Sequence, residues 1–119
     1  MSPEQISLVN SRIRIALRKF DSGEIFDATM ELCKGNHRKA DQLSAWFSDV
    51  SKKCKAREKL NIDIAMMRMW QLGNMDIKDI SPEGKPIFSL TRNGAEKICN
   101  VDKSRWFEAL LWEHQRQVV

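Results

Sequence analysis

Apolar residues recur at helical spacing over most of this chain. Ile6, Val9, Ile13, Ala16, Leu17 and Phe20 form one stripe of an amphipathic helix. Ser2-Pro3-Glu4 opens it well, with a capping serine, a proline in the first turn and an acid near the positive end of the dipole. The stripe predicts a first helix to about Lys19, broken by Asp21-Ser22-Gly23. Ile25, Phe26, Thr29, Met30, Leu32 and Cys33 predict a second helix over 24–33, which Gly35 terminates. Asn36 caps a third, with Ala40, Leu43, Phe47, Val50 and Cys54 as its stripe and Trp46 at the edge.

Residues 51–59 are polar and basic without Gly or Pro, and read either as a turn or as more of the third helix. That choice decides whether a helix-turn-helix exists between 38 and 72. Residues 60–72 are helical in composition, yet only Asn61, Asp63, Arg68 and Gln71 are polar. A helix apolar around most of its circumference is central to a core or buried in an oligomer interface. Beyond Gly73 the period shortens. Residues 75–80 and 87–90 read as two strands around the turn Ser81-Pro82-Glu83-Gly84-Lys85. Pro86 has no N–H to donate, so the returning strand begins at an edge. Phe88 and Leu90 share a face expected to point inward. Thr91 caps a short helix through about Cys99, and Asp102 caps a last one expected over 102–117. Trp106, Phe107, Leu110 and Leu111 line one face of that helix, and Trp112 lies off it.

The fold class is therefore mainly α with one β-hairpin. With 119 residues and no repeat or linker, the chain reads as one domain: an N-terminal helix over 1–20, a core over 24–98 and a C-terminal helix over 102–117. Hydrophobic content of 42% beside 30% charged residues excludes a disordered chain. No apolar run nears the roughly 18 residues of a membrane span. The N-terminus has no basic n-region or apolar h-region, and Cys33, Cys54 and Cys99 are widely spaced. Both features lead to an expectation of reduced thiols in the cytoplasm.

Charge changes the picture more than composition does. The net charge is +4, and residues 34–59 alone carry eight basic and three acidic side chains, net +5. Such a segment neutralises phosphates or meets an acidic partner surface, or is simply a solvated helical face.

The run Met66-Met67-Arg68-Met69-Trp70-Gln71-Leu72-Gly73-Asn74-Met75, a charged strand, and then Gly84-Lys85-Pro86-Ile87-Phe88-Ser89-Leu90-Thr91-Arg92-Asn93-Gly94 resembles the second half of winged helix-turn-helix domains, most of all the bacterial MarR and PadR kinds. Phe88, Leu90, Thr91 and Gly94 match the aromatic-x-Leu-Thr-x-x-Gly exit from the wing. The physical logic fits, since Phe and Leu anchor the wing, Thr caps a helix and Gly permits close packing. The resemblance implies a winged-helix-like fold with additional terminal helices, and a transcriptional regulator that contacts double-stranded DNA. Lys52, Lys53, Lys55, Arg57 and Lys59 would then meet phosphates, Asn61 and Arg68 would meet base edges, and Lys78 and Lys85 would act from the wing. Ile15 and Trp112 fall off their stripes on the terminal helices, where such proteins commonly build a homodimer.

Two features depart from that pattern. The helix before the wing is mostly apolar and carries Asp63 near its start, where a carboxylate disfavours phosphate. The wing balances Lys78 and Lys85 against Asp76, Asp79 and Glu83, read here as solvated charge. These features support a second reading: a non-enzymatic protein-interaction module, such as a phage or mobile-element modulator, or a subunit, of a nucleic-acid-processing enzyme.

Catalytic chemistry finds little footing. Cys33 and His37 make one loose pair where structural zinc uses paired close ligands, so no metal or other cofactor is expected, and the thiols read as buried or partly buried. No glycine-rich phosphate loop or nucleophile elbow is present, and His114 beside Glu113 reads as a helix-end charge. The chain is not expected to be an enzyme.

Overall fold

The Ser2 hydroxyl accepts from the Gln5 N–H at 3.2 Å while the Gln5 side chain accepts from the Ser2 N–H at 2.8 Å, closing a capping box. It opens α1 (Pro3–Arg18) in a computed structural model that describes residues 1–112. Asp21, Asn36 and Asn61 cap α2 (Ser22–Leu32), α3 (His37–Lys55) and α4 (Ile62–Gln71) with their side-chain oxygens. The antiparallel hairpin β1 (Met75–Ile80) and β2 (Pro86–Leu90) follows, then α5 (Arg92–Ile98) capped by Thr91. A 3-10 turn (Lys103–Arg105), capped by Asp102, leads into α6 (Trp106–Leu111). The described chain is thus mainly helical with one two-stranded hairpin, a helix-rich winged-helix-like arrangement. Of the helix expected over 102–117, the described part is that 3-10 turn and α6, which ends at Leu111 with Trp112 in extended backbone; residues 113–117, among them Glu113 and His114, lie outside the described residues. No helix among the described residues is long and apolar enough to cross a membrane.

Segment 51–59 divides into helix and loop. α3 continues to Lys55 and ends because Arg57 takes a left-handed φ of 55°. Its N–H then donates to Cys54 and the Glu58 N–H to Lys53, satisfying carbonyls at the helix end. α1 and α2 close in the same way through Phe20 and Lys34, each at φ 55°. Phe20 consequently leaves the apolar stripe and is 78% exposed. Gly35 does follow α2, one residue after the left-handed position that Lys34 occupies.

α4 is apolar around most of its circumference because it separates two cores. Ile64, Met67 and Trp70 face the larger one with Val9, Ile13, Leu43, Phe47 and Ile77. Ala65 and Met69 face the smaller one with Ile98, Leu110 and Leu111. Trp46, expected at an edge, is buried against Phe47 and Phe88. Leu90, Phe26, Trp106 and Phe107 are exposed, as is Cys99, while Cys33 is buried and Cys54 half-buried. Gly94 sits against Asn74 so closely that a Cβ there would collide with the Asn74 carbonyl oxygen.

A polar seam on α1 covers the open edge of β1. The Asn10 amide donates to the Ile77 carbonyl at 2.9 Å and accepts from the Ile77 N–H at 2.8 Å, as a neighbouring strand would. Its remaining valences go to the Ile6 carbonyl and the Trp70 indole N–H, so a fully buried amide is saturated. One turn along α1, Arg14 donates to the carbonyls of Trp70 and Met75 and pairs with Asp76 at 2.8 Å. Ser7 donates to the other Asp76 oxygen. Asp76 is therefore a buried structural carboxylate, not the solvated wing charge the sequence suggested.

Candidate nucleic-acid interface

The expected contact residues divide by helical geometry. Lys52 and Lys55, three apart, turn toward α1 and line a groove with Arg18 and Phe20. Lys53, one position on, pairs instead with Asp49 at 3.1 Å, and that hydrogen bond raises its pKa above the ordinary lysine value. Arg57 and Lys59 are exposed on the loop that joins α3 to α4. Among the described residues no carboxylate lies within ion-pair distance of Arg18, Lys52, Lys55, Arg57 or Lys59. These five cations run from the end of α1 across the end of α3 into the loop.

The residues expected to read bases are engaged elsewhere. The Asn61 side-chain oxygen accepts from the Ile64 N–H at 2.9 Å as the cap of α4. The Arg68 guanidinium lies 5.6 Å from the centre of the Trp112 ring. Between them α4 presents Ile62, 68% exposed, next to Leu60, 47% exposed.

The hairpin is held down on both sides. Lys85 pairs with Asp63 of α4 at 3.3 Å, and Lys39 of α3 pairs with Asp79 at 3.0 Å. A backbone hydrogen bond from Ile80 and then the Lys39 contact hold the Asp79 carboxyl below the usual range. Gly84, at φ 82°, packs its turn against the Gln42 side chain. Ile77 lies opposite Phe88 and Asp79 opposite Ile87, so Lys78 is the extra residue of a bulge and points to solvent. Of the two wing lysines, Lys78 alone has no ion-pair partner among the described residues.

Ile15 is exposed on α1, as is Trp112 beyond α6. No three His, Cys, Asp or Glu side chains converge for a metal ion among the described residues. Sequence reasoning missed Arg18 and Phe20. Their signal was available: once α1 is closed by Asp21-Ser22-Gly23, both stand at its C-terminal end, opposite the basic stripe of α3. Searches against protein-family models, curated proteins and solved structures return no match.

Proposed function

We propose that this is a non-enzymatic nucleic-acid-binding protein that holds duplex DNA by its phosphates along the α1–α3–loop edge. The observation that supports the reading is the row of five cations with no ion-pair partner among the described residues, beside the loop that joins α3 to α4. With Asn61 used as a cap, Arg68 against Trp112 and the wing tied to α3 and α4, its contacts are of the backbone kind, and preference among sequences is small. If all five cations neutralise phosphates, log K falls against log salt with a slope near −4.5, about 500-fold between 50 and 200 mM. Replacing Arg57 and Lys59 by Gln reduces the slope by about 2. Fluorescence anisotropy across a salt series tests this; flat binding, or none at 50 mM salt, rejects it.

Exposed Leu60 and Ile62 beside Arg57 and Lys59 favour a second reading, in which the same corner docks a protein with an apolar spot in an acidic surface. In that case Ile62→Asp abolishes recovery of a stoichiometric partner from bacterial lysate and leaves the DNA salt slope unchanged. Recovery of no partner by the wild-type chain counts against it.

A further inference from the structure

The groove between α1, the start of α2 and α3 has a volume of about 670 Å3, within the ~300–1,000 Å3 of small-molecule sites. Its cations are Arg14, Arg18, Lys52 and Lys55, and no carboxylate lines it. Arg14 is already matched by Asp76, which leaves three positive charges facing the space. Ser44, Ser48 and Ser51 lie along one side of α3 and Ser22 stands across from them. None of these hydroxyls is hydrogen-bonded within the described residues, so all four are open to an acceptor-rich ligand.

Phe20 stands at the rim. The residue is 78% exposed, with the Lys55 ammonium 5.2 Å from the ring centroid. Its backbone adopts the left-handed conformation that glycine favours. A phenylalanine there gains neither burial nor backbone ease, and what it does offer is a flat aromatic surface beside an anion site. Bare phosphate leaves that surface unused, as does an acidic peptide. A nucleotide uses both.

We propose that this groove binds a nucleotide whose base lies out of any duplex stack, with the base on Phe20 and the phosphate among Arg18, Lys52, Lys55 and the serine hydroxyls. The proposal rests on the nucleic-acid reading above and adds a preference for single-stranded over duplex substrate. Aromatic platforms flanked by cations bind single strands in this manner, with little regard for sequence.

The test is anisotropy of a labelled dT12 oligonucleotide and a 12-base-pair duplex, with dTMP as competitor, on wild type, Phe20→Gly, Phe20→Leu and the double variant R57Q/K59Q. The site predicts that dT12 binds at least tenfold more tightly than the duplex. It also predicts that both Phe20 variants lose about tenfold on dT12, while Phe20→Gly melts no lower than wild type. Phe20→Leu keeps apolar bulk without the aromatic face, so its loss isolates stacking. Displacement of dT12 by dTMP assigns the groove to free nucleotides as well as strands, and no displacement assigns it to strands; both support the site. If the Phe20 variants bind dT12 like wild type while R57Q/K59Q still loses duplex binding, the groove proposal alone fails. If wild type binds neither nucleic acid at 50 mM salt, the underlying reading fails with it.

Discussion

Replacing Asn10 by Leu tests how the helical body and the hairpin are joined. The change conserves approximate volume and removes four hydrogen bonds from a site with no solvent access. The Ile6 carbonyl keeps its bond within α1, but the Trp70 indole N–H and both backbone groups of Ile77 lose a buried partner. At about 1–3 kcal/mol per unsatisfied buried group, three groups sum to about 3–9 kcal/mol, and relaxation places the expected loss near 4–6 kcal/mol. A chain of this length has about 6–18 kcal/mol in total, so the loss takes from about a fifth of that stability to all of it. Asn10→Asp retains the acceptor and removes both donors to carbonyls, and should lose about 3–5 kcal/mol. Urea unfolding followed by tryptophan fluorescence measures both, with the exposed neighbour Ser11→Ala as a control expected within about 0.5 kcal/mol. A loss below about 1.5 kcal/mol for Asn10→Leu would refute the view that this amide stands in for a missing strand.

Gly94→Ala drives a Cβ into the Asn74 carbonyl, which already accepts from the Thr91 N–H, and to 2.9 Å from Leu90 Cδ1; a loss of about 2–3 kcal/mol in urea unfolding is expected. The Asp79 carboxyl has its pKa lowered on folding, so its contribution is present above its ordinary value near pH 4 and fades as pH falls through the lower folded value. Exposure of the Lys39 pair keeps this below about 1 kcal/mol, and Asp79→Asn should flatten the stability profile between pH 5 and 3. Burial pushes the Cys33 thiol up, so maleimide labelling at pH 8 read by mass spectrometry should modify Cys99 first, Cys54 more slowly and Cys33 only on unfolding. Labelling of native Cys33 at the rate of Cys99 would contradict the packing of α2.

Secondary structure was largely legible, because period, capping residues and breakers agreed along the chain. Asn36, Asn61 and Thr91 each cap a helix, and the hairpin lies where the pattern shortens. What stayed hidden depends on contacts between distant segments. Asn10 reads as a polar interruption of an apolar stripe, since its partners stand 60 and 67 positions away. Asp76 reads as one more hairpin charge until Arg14 and Ser7 meet it. The apolarity of α4 fits a core helix or an interface equally well, and the second cluster with Ile98, Leu110 and Leu111 decides for the core. The basic segment was visible as composition, but its division needed helix to continue through Lys55. That phase sends Lys52 and Lys55 one way and Lys53 another.

The same contacts that escape the sequence determine where binding chemistry is available. Arg14 touches both systems: its guanidinium ties α1 to the end of α4 and to β1, and it also lines the groove. Because Asp76 neutralises it, the wall it forms is structural, and the unbalanced charge sits on Arg18, Lys52 and Lys55. On the hairpin, by contrast, Asp79 and Lys85 are drawn into pairs with α3 and α4. A wing that grips DNA needs free cations at its tip, whereas among the described residues the only wing lysine without an ion-pair partner is Lys78, on the strand before the turn. The winged-helix-like arrangement therefore leaves its unbalanced positive charge on the α1–α3 side, on Lys52 and Lys55 of the segment to which the resemblance gives the phosphates and on Arg18, which it does not name. Phe20 borders that charge, its ring centroid 5.2 Å from the Lys55 ammonium.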